Sequence, residues 1–291
     1  MRLFIFGVGY CAAAYLAANR GDWDEVVGTM RASDKARRAA ANMRSVDIME
    51  FGETFVDPRI EGALARSDAL IASIPPGSGD PALRRFGSMI RTAGIRRIVY
   101  LSTLGVYGDA GGGWVDETTP PDPAVSRSMA REKAEREWLE LATPDRRVFV
   151  LRLAGIYGPG RNAIASLRAG AAQRIVKPGQ VFNRIHVADI ARTIAACLVA
   201  NHPGGVINVC DDEPAPPQDV TAWAAKLIGV APPPEIPFAQ AALSPMAASF
   251  WATNKRVSNR RLREDLGVKL AYPSFREGLA ALQNDGLTDG T

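Results

Sequence analysis

Leu3-Phe4-Ile5-Phe6-Gly7-Val8-Gly9-Tyr10-Cys11-Ala12-Ala13-Ala14 is the stretch on which the fold turns. Four apolar residues, short enough for a buried strand, run into a glycine pair and then into an alanine-rich segment with helical propensity. The six residues from Gly7 to Ala12 read GxGxxA between that strand and that helix. Gly7 permits a tight turn, and Gly9 has no Cβ to keep a diphosphate away from the backbone. Ala12 lets the helix lie close on the sheet, and the amides of the first turn, at Tyr10 and Cys11, face an anion. In this strand–turn–helix setting the pattern predicts a dinucleotide-binding turn.

Working outward, apolar runs alternate with helix-like stretches, the signature of βαβ units. Strands are predicted at residues 25–29, 46–51, 69–74, 97–102 and 148–153, and helices at 11–19, 34–41, 81–93 and within 123–141. Pro75-Pro76-Gly77 stops the strand before it. The fold class expected is α/β, a Rossmann-type doubly wound parallel sheet across residues 1–155. Beyond 155, Gly, Pro and Ala become denser, with helices predicted at 187–200, 218–228, 258–266 and 275–283 and a strand at 206–209. Residues 232–253 read as loop. Residues 181–211 are expected to return to the nucleotide-binding domain, while 156–180 and 212–291 form a smaller C-terminal substrate-capping lobe.

The end of the second strand decides which dinucleotide fits. An NAD site places an acid there to hold the ribose hydroxyls, whereas this chain reads Gly28-Thr29-Met30-Arg31-Ala32-Ser33-Asp34-Lys35. Arg31 stands where a guanidinium grips a 2′-phosphate, with Ser33 and Lys35 in support, so NADP is the expected cofactor. Ser73 and Pro75, after the 69–74 strand, are expected beside it.

The totals narrow the remaining classes. Two histidines and three widely spaced cysteines supply too few ligands for a zinc site. The formal charge of +4 is spread over helices and loops, so the basic clusters at 35–38 and 254–263 read as solvated faces rather than a nucleic-acid surface. The first apolar run is broken by glycines too early for a signal core, and no apolar segment reaches membrane-spanning length. A cytoplasmic protein with a small-molecule substrate, no nucleic-acid partner and no membrane is expected.

Further along, several segments follow one another in a familiar order. Tyr100-Leu101-Ser102-Thr103-Leu104-Gly105-Val106-Tyr107-Gly108 is followed by Asp116-Glu117-Thr118-Thr119-Pro120, then by Leu151-Arg152-Leu153-Ala154-Gly155-Ile156-Tyr157-Gly158-Pro159-Gly160, and then by Arg184-Ile185-His186-Val187-Ala188-Asp189. Together they resemble the extended short-chain dehydrogenases/reductases, the NAD-dependent epimerase/dehydratase family. The resemblance implies hydride transfer, and the ligand is expected at the carboxyl edge of the sheet, between the Pro75-Pro76 loop, Thr103 and the segment from Gly155 to Tyr157. It implies that Thr103 orients a substrate carbonyl and that Asp80 takes the place of the family's Asn. Asp80 equally suits a helix N-cap ahead of Pro81. Dimerisation through helices near 81–93 and 126–141 is a family habit and is expected as a possibility here.

One departure stands out. The family carries a YxxxK unit in the helix before Ala134-Glu135, but here residues 126–137 read SRSMAREKAERE, without a tyrosine. Registered on Ala134-Glu135, the Tyr and Lys positions become Arg127 and Arg131; registered on Lys133, the Tyr position becomes Met129. The family tyrosine moves a proton to or from the reacting oxygen, which an arginine's high pKa forbids near neutrality. Tyr107, Tyr157 and Tyr10 are the available substitutes, and His186 is the one histidine in the region. The expected function is therefore NADP-dependent oxidoreductase or epimerase chemistry on a small carbonyl or sugar-like substrate. The alternative is a non-catalytic NADP-binding protein that senses redox state or serves a partner.

Overall fold

The computed structural model describes residues 1–31 and 46–284, so the expected helix at 34–41 and the calls on Ser33 and Lys35 lie outside the described residues. Seven strands form the central sheet: β1 (Arg2–Phe6), β2 (Glu25–Met30), β3 (Asp47–Glu50), β4 (Ala69–Ala72), β5 (Arg97–Thr103), β7 (Arg147–Leu153) and β11 (Gly205–Val209). Their spatial order is β11-β7-β5-β4-β1-β2-β3, and every neighbouring pair is parallel. The chain works outward from β1 in one direction and from β4 in the other. That reversal opens a crevice at the carboxyl ends of β1 and β4.

Both faces of the sheet are covered, which is why the strand sequences are apolar without alternation. On one face lie α1 (Tyr10–Asn19) and, later in the chain, the helix Val187–Val199, which pack on each other and on Ile5, Ile71, Val99 and Leu151. On the other lie α2 (Arg59–Arg66), α3 (Pro81–Thr92) and α4 (Ser126–Leu139), over Phe4, Phe6, Leu70, Tyr100 and Val150. Helix α2 was absent from the sequence reading. Its buried Ile60, Ala63 and Leu64 lie at the i, i+3, i+4 spacing of a helical core face.

The rest of the chain is built from short pieces. Three two-stranded parallel pairs form: β6 (Trp114–Val115) with β13 (Arg256–Val257), β8 (Gly155–Tyr157) with β10 (Arg184–His186), and β9 (Arg174–Val176) with β12 (Glu235–Pro237). Helices α5 (Ala163–Arg168), α6 (Val187–Val199) and α7 (Pro217–Leu227) follow in chain order. The expected loop at 232–253 is instead β12, a 3-10 turn and α8 (Pro245–Trp251), capped by Ser244 on the amide of Ala247. The predicted helix at 258–266 shortens to α9 (Arg260–Glu264). A small separate core joins α5 and α7 to α10 (Phe275–Asn284) through Ile164, Ala224, Phe275 and Leu279.

Candidate active site

The glycine turn sits at the carboxyl end of β1, braced from two sides. Gly7 has a φ of +86°, and a Cβ there would lie 2.8 Å from Ile74 Cγ1 and 3.0 Å from Ser73 Oγ. Only glycine fits that position. The amide of Gly7 donates to Thr29 Oγ1 at 3.0 Å, and that of Val8 to the Thr29 carbonyl at 2.9 Å. Ser73 closes the other side by donating to the Gly7 carbonyl. Gly9 differs in kind: it is exposed, and a Cβ built on it would meet nothing within 4 Å.

Gly9 is the N-cap of α1, with no side-chain cap and no acidic residue in the first turn. The first amides of the helix thus face the crevice with their partial positive charge uncompensated. Ala12 is fully buried, as close helix–sheet packing requires, and Cys11 is nearly so. Burial pushes the Cys11 thiol up to about 11, which keeps it protonated near neutrality. Arg31 is exposed directly after the last residue of β2, and Pro75 is exposed after β4.

At the carboxyl end of β5 the polar groups are committed to one another. Thr103 is half-buried and accepts the Gly105 amide at 3.1 Å, leaving its own hydroxyl proton to donate. Arg131 donates to Tyr100 Oη at 3.1 Å and to the Leu101 carbonyl at 2.9 Å. Ser102 donates to Glu135, which is locked to Arg152 at 2.8 Å, with both charges buried. The Arg152 guanidinium lies 4.6 Å over the Tyr107 ring.

Most of the other expected site residues are held by partners within the protein. Asp80 is 2% exposed; its carboxylate accepts the amides of Ala82 and Leu83 and the Trp138 indole at 2.9 Å, so it caps α3 as its place before Pro81 leads one to expect. Tyr107 is buried and donates to Asn208 at 2.8 Å, and burial raises its pKa. Tyr157 is buried against Ser274 and His186, with its hydroxyl pushed still higher. Tyr10 donates to the Pro159 carbonyl, and burial raises it as well. A general acid works best with a pKa near the ambient pH, and these three phenols move the wrong way. Lys133 is exposed and paired with Glu137 one turn on, and Met129 is exposed on the same side of the helix. Gly155 alone of its segment stays open, at the start of β8, beside the Asn183 carbonyl.

Lys255 is a group that the sequence reading missed, because it lies in a basic run read as solvated. It is 7% exposed, donates to the Gly108 carbonyl and to Thr253 Oγ1, and burial lowers its pKa to about 8. A separate groove of about 750 Å³ runs past Trp114, Asp211, Asn259 and Lys269, and none of the expected site residues lines it. No group of three His, Cys, Asp or Glu suited to a metal occurs among the described residues, and no described helix is long and apolar enough to cross a membrane.

Comparison with known proteins agrees with this architecture. The sequence pattern of the NAD dependent epimerase/dehydratase family matches residues 84–210. A protein from Silicibacter pomeroyi, described as conserved and functionally unknown, is 45% identical, with a TM-score of 0.86, covering 98% of this chain and 99% of that one. A 3-diazoavenalumate denitrifying reductase from a Streptomyces species is 34% identical over 205 residues, 65% of this chain and 66% of the relative. The UDP-glucuronic acid 4-epimerase of Bacillus cereus, solved with UDP-glucuronic acid and NAD, shares the fold at 16% identity, with a TM-score of 0.78 and 98% of each chain covered.

Proposed function

We propose that this chain, whose residues 84–210 match the NAD dependent epimerase/dehydratase family, binds NADP in the crevice between β1 and β4 and transfers hydride to or from a small carbonyl or sugar-like substrate. The observation that carries this reading is the bare Gly9 turn at an uncapped helix N-terminus, with exposed Arg31 at the end of β2. The glycine turn holds the diphosphate, and Arg31 takes the 2′-phosphate. Thr103, with a free hydroxyl proton, donates to the substrate oxygen. Bound dinucleotide supplies the hydride or accepts it. The Streptomyces relative's name supports reduction as the direction.

Arg184 donates through Nη1 to the carbonyls of Phe182 and Ala215 at 2.9 and 3.1 Å, and its guanidinium lies over the Phe275 ring. The engaged, poorly acidic tyrosines favour a second reading, in which the protein binds NADP and performs no redox turnover. One experiment separates the two: measure NADPH affinity by calorimetry, then follow NADPH absorbance across a panel of aldehydes, ketones and keto-sugars. Tight binding with turnover supports the oxidoreductase, and tight binding without turnover on any acceptor supports the binding protein. No binding of either NADPH or NADH would sink both.

A further inference from the structure

We infer that Arg161 is a diphosphate clamp, reaching from the loop after β8 to the dinucleotide held on the Gly9 turn; this rests on the crevice being a dinucleotide site. The loop is seated on the turn by direct contact. Tyr10 donates its hydroxyl to the Pro159 carbonyl at 3.0 Å. At Gly158 a Cβ would lie 2.6 Å from Tyr10 Oη and 2.7 Å from Val187 Cγ1, so no side chain fits between the loop and the first residue of α1. Gly158 and Arg161 exchange backbone hydrogen bonds at 3.0 and 3.1 Å, which fixes where the Arg161 side chain leaves the loop. Asn162 secures the far side, donating to the Gly158 carbonyl and accepting the Ala165 amide at the start of α5.

From this seat the Arg161 side chain is exposed, and among the described residues no hydrogen bond or ion pair holds its guanidinium. Its charge is nevertheless close to the turn. Burial raises the pKa of both Tyr10 and Cys11, and in each case the Arg161 cation opposes that rise. An exposed cation on an anchored backbone, free of any carboxylate and beside the first two residues of a helix without a side-chain cap, matches a diphosphate oxygen pair by charge and by bidentate geometry. The amides would hold the diphosphate from the β1 side and Arg161 from the β8 side. Cofactor binding would thereby pin the loop that carries Pro159 and Asn162, the cap of α5.

The test uses the full chain with NADPH and NADH as probes, titrated into wild type, Arg161→Ala, Arg161→Glu and Arg161→Lys. The diphosphate is common to both cofactors. Arg161→Ala is therefore expected to weaken both by the same factor, about tenfold to a hundredfold, with the ratio of NADPH to NADH affinity unchanged. Arg161→Glu should weaken both further, and Arg161→Lys should recover part of the loss. Thermal midpoints should stay at the wild-type value, since the guanidinium supports nothing in the free protein. Unchanged affinities in Arg161→Ala would overturn the assignment, and so would a loss confined to NADPH, which would place Arg161 on the 2′-phosphate instead. A wild type that bound neither cofactor would overturn the dinucleotide site itself, an outcome separable from failure of the clamp.

Discussion

The carboxyl ends of β1 and β5 lie two strands apart in one sheet, yet they are furnished in opposite ways. At β1 the chain leaves its backbone open: a Cβ on Gly9 would meet nothing within 4 Å, α1 has no side-chain cap, and Arg31 and Arg161 stand exposed. At β5 the chain ties its polar groups together: Arg131 to Leu101, Ser102 to Glu135, Glu135 to Arg152 and Tyr107 to Asn208. Exposed amides and cations at a crevice are hydrated and can exchange that water for an anionic ligand, whereas a closed network needs no visitor. On the proposed function, the first end is organised for binding and the second for rigidity. Thr103 is the exception at the second end, with a hydroxyl proton still free.

The sharpest way to break this contrast is at Gly9. Because the space around it is empty, Gly9→Val should fold with a near-normal thermal midpoint and yet lose NADPH by at least about a hundredfold, some 2.7 kcal/mol, through collision with the diphosphate. Gly7→Val is the control: its positive φ and the 2.8 Å approach of Ile74 predict a loss of stability first. Calorimetric titration beside thermal melts reads both. A Gly9→Val variant that bound NADPH normally would remove the ligand from this turn.

Arg31 comes next. If it holds the 2′-phosphate, Arg31→Ala should cost NADPH about tenfold to a hundredfold and leave NADH nearly untouched. Paired titrations of the two cofactors decide the matter, and equal affinities in the wild type would refute the NADP assignment outright.

At β5 the contrast can be tested by restoring what is missing. Arg127 donates to Ser249 at 2.7 Å and lies over Phe250 of α8, and Arg131 lies against β5, so this face of α4 looks toward the crevice and the capping segments. Arg127→Tyr with Arg131→Lys should rebuild an acid there. General acids contribute about a hundredfold or more, so a gain of roughly tenfold in NADPH-dependent carbonyl reduction is expected even with imperfect geometry. Met129→Tyr, on the exposed side with Lys133, should give none. A gain in Met129→Tyr alone would reverse the register.

The central strands and the glycine turn were legible because local pattern sufficed: apolar runs of strand length, glycines at a strand end, Pro81 after Asp80. What the sequence hid was decided by distant partners. Asp80 fits both cap and site until Trp138 is seen to claim its second oxygen, 58 residues away. Lys255 looks solvated until the chain folds the Gly108 carbonyl onto its ammonium, 147 residues away. Tyr107 matches a family motif perfectly well, but Asn208 and Arg152 fix what its hydroxyl and ring face. Arg161 falls in the same class, since only the loop's seating on Tyr10 brings it to the phosphate turn.

Asp80 supplies the finest discrimination, because the expected effect on the ligand is none. Its Oδ1 accepts two amides of the first turn of α3, each at 3.0 Å, and its Oδ2 accepts the fully buried Trp138 indole. Asp80→Ala removes the cap and strands the indole N–H, and the two losses together should destabilise by about 2–3 kcal/mol in urea unfolding. Asp80→Asn keeps one capping oxygen but turns an amide N–H₂ toward the indole donor, so it should fall between wild type and alanine. NADPH affinity and any turnover per folded molecule should match wild type in both variants, because the carboxylate faces α3 and Trp138. A drop in turnover with stability preserved would return Asp80 to the chemistry, and the rigid end of the sheet would then contain a working acid after all.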